Sequence, residues 1–483
     1  MSRILEKYKS LPPIVKASGW YMACNIIQNA LGFITLPVFT RILTTDEYGL
    51  FTIYNTWLNI IVIFTTLNLQ YGVFNTAMIK FENDRDRFIS SMQGLTTVIS
   101  VIWLLIYITL RNLWNSAFNL PTILMIAMAL EMCFLPAKDY WCGKQKFEYQ
   151  YKGMVIYTLA LTIMNPVISI CAVLMADNGG IARILAAAAV NVCFYFVIYI
   201  YNFKKGKVFF DKEYWKYAIK FGVPLIIYYL SQIIFNQSDK IMIERLAGRD
   251  KAGIYNLVFS CSLVAVIIIN SVNSAFVPWK YRKMKEKKYT DIGNISGILS
   301  LFIGIILLMV ILCGPEIIML LATEEYYEAI WIMPPIIGSL YFLFQAQLFI
   351  NIEFYFEEKN YLAAGSVLSA VLNVGLNYIT IQKWGYLAAG YMTLVAYIVF
   401  ALCNYICMRK VCKDKIHGAS IYNDKKLLII SIVFLACVFG AVFIYDKVFL
   451  RWGIFFFSFI IIGVNAKRLI RWIKEILGNE EVG

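Results

Sequence analysis

Fourteen apolar stretches, each about long enough to cross a bilayer, succeed one another along nearly all of this chain and leave no room for a separate soluble domain. They read Ala17 to Phe39, Leu50 to Tyr71, Phe88 to Leu110, Leu120 to Tyr140, Gly153 to Met175, Ile181 to Phe203 and Ala218 to Asp239. The series continues with Ala252 to Phe276, Ile292 to Cys313, Ala329 to Ile352, Tyr361 to Ile381, Trp384 to Cys407, Leu427 to Tyr445 and Phe449 to Ala466. Backbone polar groups in hydrocarbon must be satisfied within their own segment, which uninterrupted apolar runs of this length achieve as helices. The expected fold class is therefore all-α, a polytopic membrane protein with 14 transmembrane helices. At 60% hydrophobic and 15% charged residues, a soluble monomer is excluded, and transport becomes the leading class of function. Arg451 and Lys467 crowd the ends of the last stretch and are expected to snorkel to the interface.

The net charge of +14 would suggest nucleic acid in a soluble protein, but in a membrane chain the side on which the charges lie is what matters. With the N-terminus cytoplasmic, the inner segments hold 34 of the 44 Lys and Arg and the outer connections hold 10. The richest inner stretches are Lys204 to Lys220, Lys280 to Lys288 and Arg409 to Lys426. We read these as topology signals in contact with anionic membrane lipids, with both termini cytoplasmic and no nucleic acid as partner. Eleven cysteines without a CxxC, and a single histidine at His417 in a basic inner connection, support neither a disulfide framework nor a metal site.

The chain repeats itself at an offset of 204 residues. Arg41, Asp46, Gly49 and Phe51 fall over Arg245, Asp250, Gly253 and Tyr255. At an offset of 207 Phe147, Tyr149 and Lys152 fall over Phe354, Phe356 and Lys359, and at 208 Asn165 falls over Asn373. Because each copy holds an even number of spans, the two halves form a parallel repeat, a transporter layout. The expected organisation is a cytoplasmic segment at 1–16, an N-lobe of six spans at 17–203 and a basic linker at 204–217. A C-lobe of six spans at 218–408, an inner loop at 409–426, two additional spans within 427–472 and a tail at 473–483 follow. Pro37, Pro136, Pro166, Pro224, Pro278, Pro315 and Pro334-Pro335 stand within or at the ends of spans, where they permit kinks.

Amides recur four residues apart inside the spans: Asn25/Asn29, Asn55/Asn59, Gln232/Asn236, Gln347/Asn351 and Asn373/Asn377. Four residues is about one helical turn, so each pair shares a face. Such amides serve either as glue between helices or as the lining of a hydrated cavity, where an uncharged donor and acceptor suits sugar hydroxyls. Glu131 is the one charge read as well inside a span, and Asp239 with Lys240 closes the seventh. These two carboxylates are the candidates for ion coupling; the alternative for Glu131 is a structural pair with Lys138. Arg41, Arg183 and Arg245 stand near the outer mouth, Lys138, Lys220 and Lys359 near the inner one. Charges at a mouth are commonly interfacial anchors. Arg41 and Arg245 rise above that reading because the repeat places them at equivalent points, and a guanidinium matches phosphate oxygens in bidentate fashion.

The chain resembles the bacterial polysaccharide-repeat-unit flippases, of the O-antigen and capsule type, within the multidrug/oligosaccharidyl-lipid/polysaccharide exporter superfamily. The carriers are Thr40-Arg-Ile-Leu-Thr-Thr-Asp-Glu-Tyr-Gly-Leu-Phe51, Lys220-Phe-Gly-Val-Pro224, Asp239-Lys240, Ala252-Gly-Ile-Tyr255, Asn373 to Tyr378 and Gly385 to Gly390. Thr44-Thr45 stand where a glycine often follows in that family. The resemblance implies movement of an undecaprenyl-diphosphate-linked oligosaccharide across the bacterial cytoplasmic membrane by alternating access, without a cofactor. Its diphosphate would be held by Arg41, Arg245, Lys220 and Lys240, its sugars by the paired amides, and other polysaccharide-assembly membrane proteins would be partners. Lipid II flippases look similar but usually carry a second arginine where this chain has Thr35, and cation-coupled drug or metabolite antiporters place a carboxylate in the first, seventh or eighth span. An enzyme such as a membrane glycosyltransferase or polymerase would need catalytic groups in an outer loop. The longest, Gly314 to Glu328, has four Glu but no His or Arg.

Overall fold

The computed structural model describes residues 12–67, 69 and 73–477, so the first eleven residues of the expected N-terminal segment and the last six of the tail lie outside the described residues. The described chain is built of α-helices joined by short turns and two 3₁₀ turns. In order they are α1 Pro13–Ile42, α2 Thr45–Thr66, α3 Val73–Lys80, α4 Arg85–Thr109, α5 Arg111–Phe118 and α6 Thr122–Phe147. Next come α7 Tyr151–Met175, α8 Gly179–Gly206, α9 Lys212–Ala247, α10 Arg249–Lys285, α11 Tyr289–Leu312 and α12 Gly314–Leu321. The last are α13 Met333–Tyr355, α14 Lys359–Trp384, α15 Leu387–Lys415, α16 Asp424–Phe443 and α17 Val448–Leu477.

Among the described residues ten helices are long and apolar enough to cross a membrane, and an eleventh is counted if α5 and α6, bent by 92° at their junction, form one span. Outside that set stand the short α3 and α12, α17, whose described apolar part is Val448–Ile461, and α9 and α14, in which the described residues do not make up a full span. The chain is thus a multi-pass, all-helical membrane protein.

Helix starts follow local chemistry. Thr44 and Glu47 form a reciprocal capping box at α2, the Thr44 hydroxyl accepting from Glu47 N at 3.3 Å and Glu47 Oε2 from Thr44 N at 3.0 Å. The threonine therefore supplies by side chain what a glycine supplies by backbone freedom. At the equivalent point of the second copy, Gly248 precedes α10 with φ of +115°, a conformation that side chains resist. Asn178 and Asn423 cap α8 and α16 in the same donor-satisfying way.

The chain divides into two compact units, one running to Gln237 and one from Ser238, so the boundary lies inside α9. In the first unit, α8 packs against α6 and α7, and a core of Leu69, Phe74, Met78, Phe88, Met92 and Tyr140 takes in Tyr214 and Ala218 from the start of α9. In the second unit the most enclosed helix is α13, buried continuously from Met333 to Leu340 and packed against α10, α11 and α15. At one end of this unit, Glu328 accepts from Lys251 Nζ at 2.8 Å and from the Tyr386 hydroxyl, which hold its carboxyl below the usual range.

One expectation is overturned here. Arg451 does not snorkel. It lies within α17 at 3% exposure, grips both oxygens of Glu316 with its two terminal nitrogens and donates to Leu312 O at 2.6 Å. A bidentate carboxylate beside a helix-end carbonyl gives the guanidinium more than the interface would.

Candidate functional site

The two repeat-related arginines stand in the last turns of α1 and α9, where a cation complements the helix dipole. Arg41 is exposed and its Nη1 donates to Pro37 O at 3.1 Å. Arg245 has 40% of its side chain exposed, with Nε 3.4 Å from Glu244 Oε2. The turn that carries Arg41 is braced by α8. The Arg183 guanidinium lies 3.8 Å over the Phe39 ring and 3.5 Å over the Phe51 ring, and Gly180 N donates to Glu47 Oε1 at 3.2 Å. Arg183 is thus a buried stacking residue rather than the interfacial anchor expected, and it clamps the chain on either side of Arg41. Of the other two cations expected at a diphosphate, Lys220 is exposed in the first unit, while Lys240 is buried in the second, 3.9 Å over the Phe259 ring.

Each unit contains a buried carboxylate tied across helices. In the first, Glu131 of α6 accepts from the Tyr54 hydroxyl of α2 at 3.1 Å and from Asn191 Nδ2 of α8 at 2.6 Å, and Asn191 in turn accepts from Asn165 of α7. In the second, Asp239 Oδ2 accepts from the Tyr255 hydroxyl of α10 at 2.8 Å and the Thr393 hydroxyl of α15 at 2.7 Å. Its Oδ1 accepts from Asn377 Nδ2 of α14 at 2.7 Å, and Asn377 also donates to Asn373. Both nodes draw on a tyrosine from the second helix of the copy and on its fifth and sixth helices, but the carboxylate comes from the fourth helix in the first copy and from the first helix in the second, so the acids are not repeat partners. Asp239 is not marginal, as its place at the end of an apolar stretch suggested. It is 4% exposed, because α9 runs two more turns to Ala247. Lys138 does not pair with Glu131; its partner is Asp139 at 2.7 Å.

The five amide pairs have different fates. Asn29, Asn55 and Asn236 donate to backbone carbonyls one turn back, at Asn25, Phe51 and Gln232. Asn25, Asn29 and Asn59 are exposed, Asn55 and Gln232 half-buried. Gln347 and Asn351 bond across helices to Asn270 and Asn273 of α10, and Asn373 and Asn377 belong to the Asp239 node. Glu131 is not the one enclosed acid: Asp239, Glu244 and Glu353 are buried too, and neither carboxyl oxygen of Glu353 has a hydrogen-bond partner. Nor is Lys280 a solvated loop residue. It is fully buried, donating to Leu348 O at 3.1 Å and to the Tyr422 hydroxyl at 3.4 Å. Both were missed because Glu353 and Lys280 follow the last apolar residue of their stretches, while their helices continue.

The family described as Polysaccharide biosynthesis protein matches residues 14–284. Two proteins of Haemophilus influenzae are each 23% identical: a protein of the Lsg locus, over 75% of this chain and 90% of its own length, and an uncharacterized membrane protein, over 75% and 89%. Among solved structures, the lipid II flippase MurJ in an inward closed conformation aligns with a TM-score of 0.70 at 12% identity, covering 93% of this chain and 99% of that one. An inward-facing multidrug resistance MATE family transporter of the MOP superfamily aligns with a TM-score of 0.64 at 13% identity, covering 80% and 95%. At these identities the likeness establishes the fold.

Proposed function

We propose, from the premise that this chain belongs to the polysaccharide biosynthesis protein family, that it is a flippase carrying undecaprenyl-diphosphate-linked oligosaccharide repeat units across the bacterial cytoplasmic membrane by alternating access. The observation that carries the reading is the pair Arg41 and Arg245: two cations at repeat-equivalent helix ends, each with an accessible guanidinium, in a chain of very low charge density. Guanidinium groups suit a diphosphate, being planar, permanently charged and able to bond in bidentate fashion. The amides at Asn25, Asn29, Asn55, Asn59, Gln232 and Asn236 support a sugar-tolerant lining, being neutral and partly accessible.

The test is deletion of the gene in its host and extraction of lipid-linked intermediates. Complete repeat units should accumulate on the cytoplasmic leaflet; normal surface polysaccharide with no accumulation would refute the reading. The charge asymmetry supports cytoplasmic termini, so reporter fusions at the turn from Glu286 to Lys288 should report inside and one near Glu325 outside. A cation-coupled antiporter is the second reading, favoured by the oxygen-rich setting of Asp239 among Tyr255, Thr393 and Asn377.

A further inference from the structure

A cavity of about 590 Å³ lies within the first unit where α6 ends and α7 begins. Its walls are Trp141 and Gln145 of α6, Tyr149 to Gly153 at the turn into α7, and Val197, Ile198 and Tyr201 of α8. Trp141 and Gln145 are one turn apart and so share a face of α6. Both are nine-tenths buried, and among the described contacts neither the Gln145 side-chain amide nor the Trp141 indole N–H has a hydrogen-bond partner in the protein. Their polar atoms are open to the cavity, and a cleft lined by rings with a few accessible polar groups is the usual form of a small-molecule site.

The turn itself is instructive. Gln150 N donates to Gln145 O and Tyr149 N to Lys146 O, with Tyr149 at φ of +56°. The chain makes the same turn at Lys287 and at Glu357, where the left-handed position carries a charge that solvates itself. Here it carries a half-exposed aromatic ring beside Trp141, Tyr151 and Tyr201. The wall is held from outside: Trp20 stacks on Tyr151 with ring centroids 6.3 Å apart, and the Tyr21 hydroxyl donates to Gln145 O at 3.1 Å. The lining contains four aromatic rings, two neutral amides, one cation at Lys152 and no acid.

Ring faces that receive the C–H side of a pyranose, and amides that pair with vicinal hydroxyls, are the chemistry of a saccharide site. An anion site would show more than one cation and would not need four rings. We propose that this cavity is a saccharide-binding subsite on the cytoplasmic side, engaging the sugar headgroup of the lipid-linked substrate before it is carried across. Gln145 and Gln150 supply the hydroxyl partners, Trp141 and Tyr149 the stacking surfaces, and Lys152 accommodates an acidic sugar or the adjoining phosphate. The inference rests on the flippase reading for the identity of the substrate and adds a place where its sugars are recognised.

The experiment is binding of the lipid-free oligosaccharide repeat unit, released from the host's carrier lipid, to the purified full-length protein in detergent by calorimetry. Phosphatidylglycerol serves as competitor. The wild-type protein should bind the sugar without competition from the lipid. Gln145→Leu, which removes hydrogen bonds without adding volume, should weaken binding about tenfold. Gly153→Trp should abolish it, since Gly153 lines the cavity and a Cβ there meets nothing within 4 Å. Thermal unfolding of both variants verifies that they are folded. Absence of sugar binding by wild type, unchanged binding by both folded variants, or displacement by phosphatidylglycerol would each overturn the subsite. Those outcomes leave the flippase reading intact, because that reading is decided by accumulation of intermediates in the deletion host.

Discussion

At the scale of single residues, function and structure divide the polar groups between them. Arg41 is exposed on a turn braced by the Thr44 cap and the Arg183 stack, so the base of a ligand-binding cation would be held in place. Arg41→Ala is expected to abolish surface polysaccharide while the protein stays at normal level in the membrane, and Arg41→Lys to restore it only in part, because a point charge lacks the bidentate fork. Quantifying polysaccharide against membrane protein by immunoblot decides it; full export by Arg41→Ala would reduce the residue to an anchor. Asp239 stands at the other pole, accepting three hydrogen bonds from three helices. In Asp239→Asn one oxygen becomes an NH₂ that faces a donor, so the variant should lose about 1–3 kcal/mol of stability. Unchanged thermal unfolding in detergent would mean that the donors find other acceptors. The sequence showed Arg41 and Arg245 because a repeat marks them twice, and it showed both carboxylates with Asn373 and Asn377, but not the partners Tyr54, Asn191 and Thr393, which only the packing of helices brings to them. It could not show that Lys240, Lys280 and Glu353 are enclosed, because burial beyond the end of an apolar stretch depends on which neighbour covers the helix end.

Among elements, the long helices were legible because hydrocarbon imposes a simple rule: an apolar run of sufficient length is a helix. What no apolar window reads is a change of direction. The 92° bend between α5 and α6 and the separate short helix α12 arise at Asn119-Leu120-Pro121 and at Gly314-Pro315, local breaks inside or beside stretches that looked continuous. The same blindness applied to α17. Arg451 near its start signalled a helix ending at the interface, yet it docks on α11 and α12 through Leu312 and Glu316, with the Tyr445 hydroxyl donating to Ile311 O beside it. This contact fastens the last two helices to the second unit. Arg451→Ala should therefore cost about 1–2 kcal/mol, from lost hydrogen bonds and side-chain packing, since the Glu316 carboxylate left behind is 39% exposed and takes up water. Protease sensitivity of the segment joining α16 and α17 should rise in parallel. Glu316→Gln, which keeps the shape and one acceptor, should have a smaller effect, and equal effects of the two variants would show that charge pairing rather than packing holds the helix.

For the whole molecule, the question is what drives an empty carrier and a loaded one in opposite directions. A diphosphate headgroup leaving an inside-negative face for the outer one gains roughly 2.3 kcal/mol per charge per 100 mV, so the membrane potential alone suffices if the returning carrier moves no compensating charge. A coupled antiporter needs instead a carboxylate that exchanges an ion. The two best-enclosed candidates are both engaged by neutral donors: Glu131 by Tyr54 and Asn191, Asp239 by Tyr255, Thr393 and Asn377. Those bonds give each acid a structural task, joining three helices in the first unit and four in the second. In vesicles containing the purified protein, a potassium-diffusion potential should accelerate flipping of the lipid-linked oligosaccharide without any proton or sodium gradient, and Glu131→Gln should keep most of the activity. If flipping required an ion gradient and vanished in Glu131→Gln with the protein still folded, the carboxylate would be the coupling site and export would be exchange rather than electrophoresis.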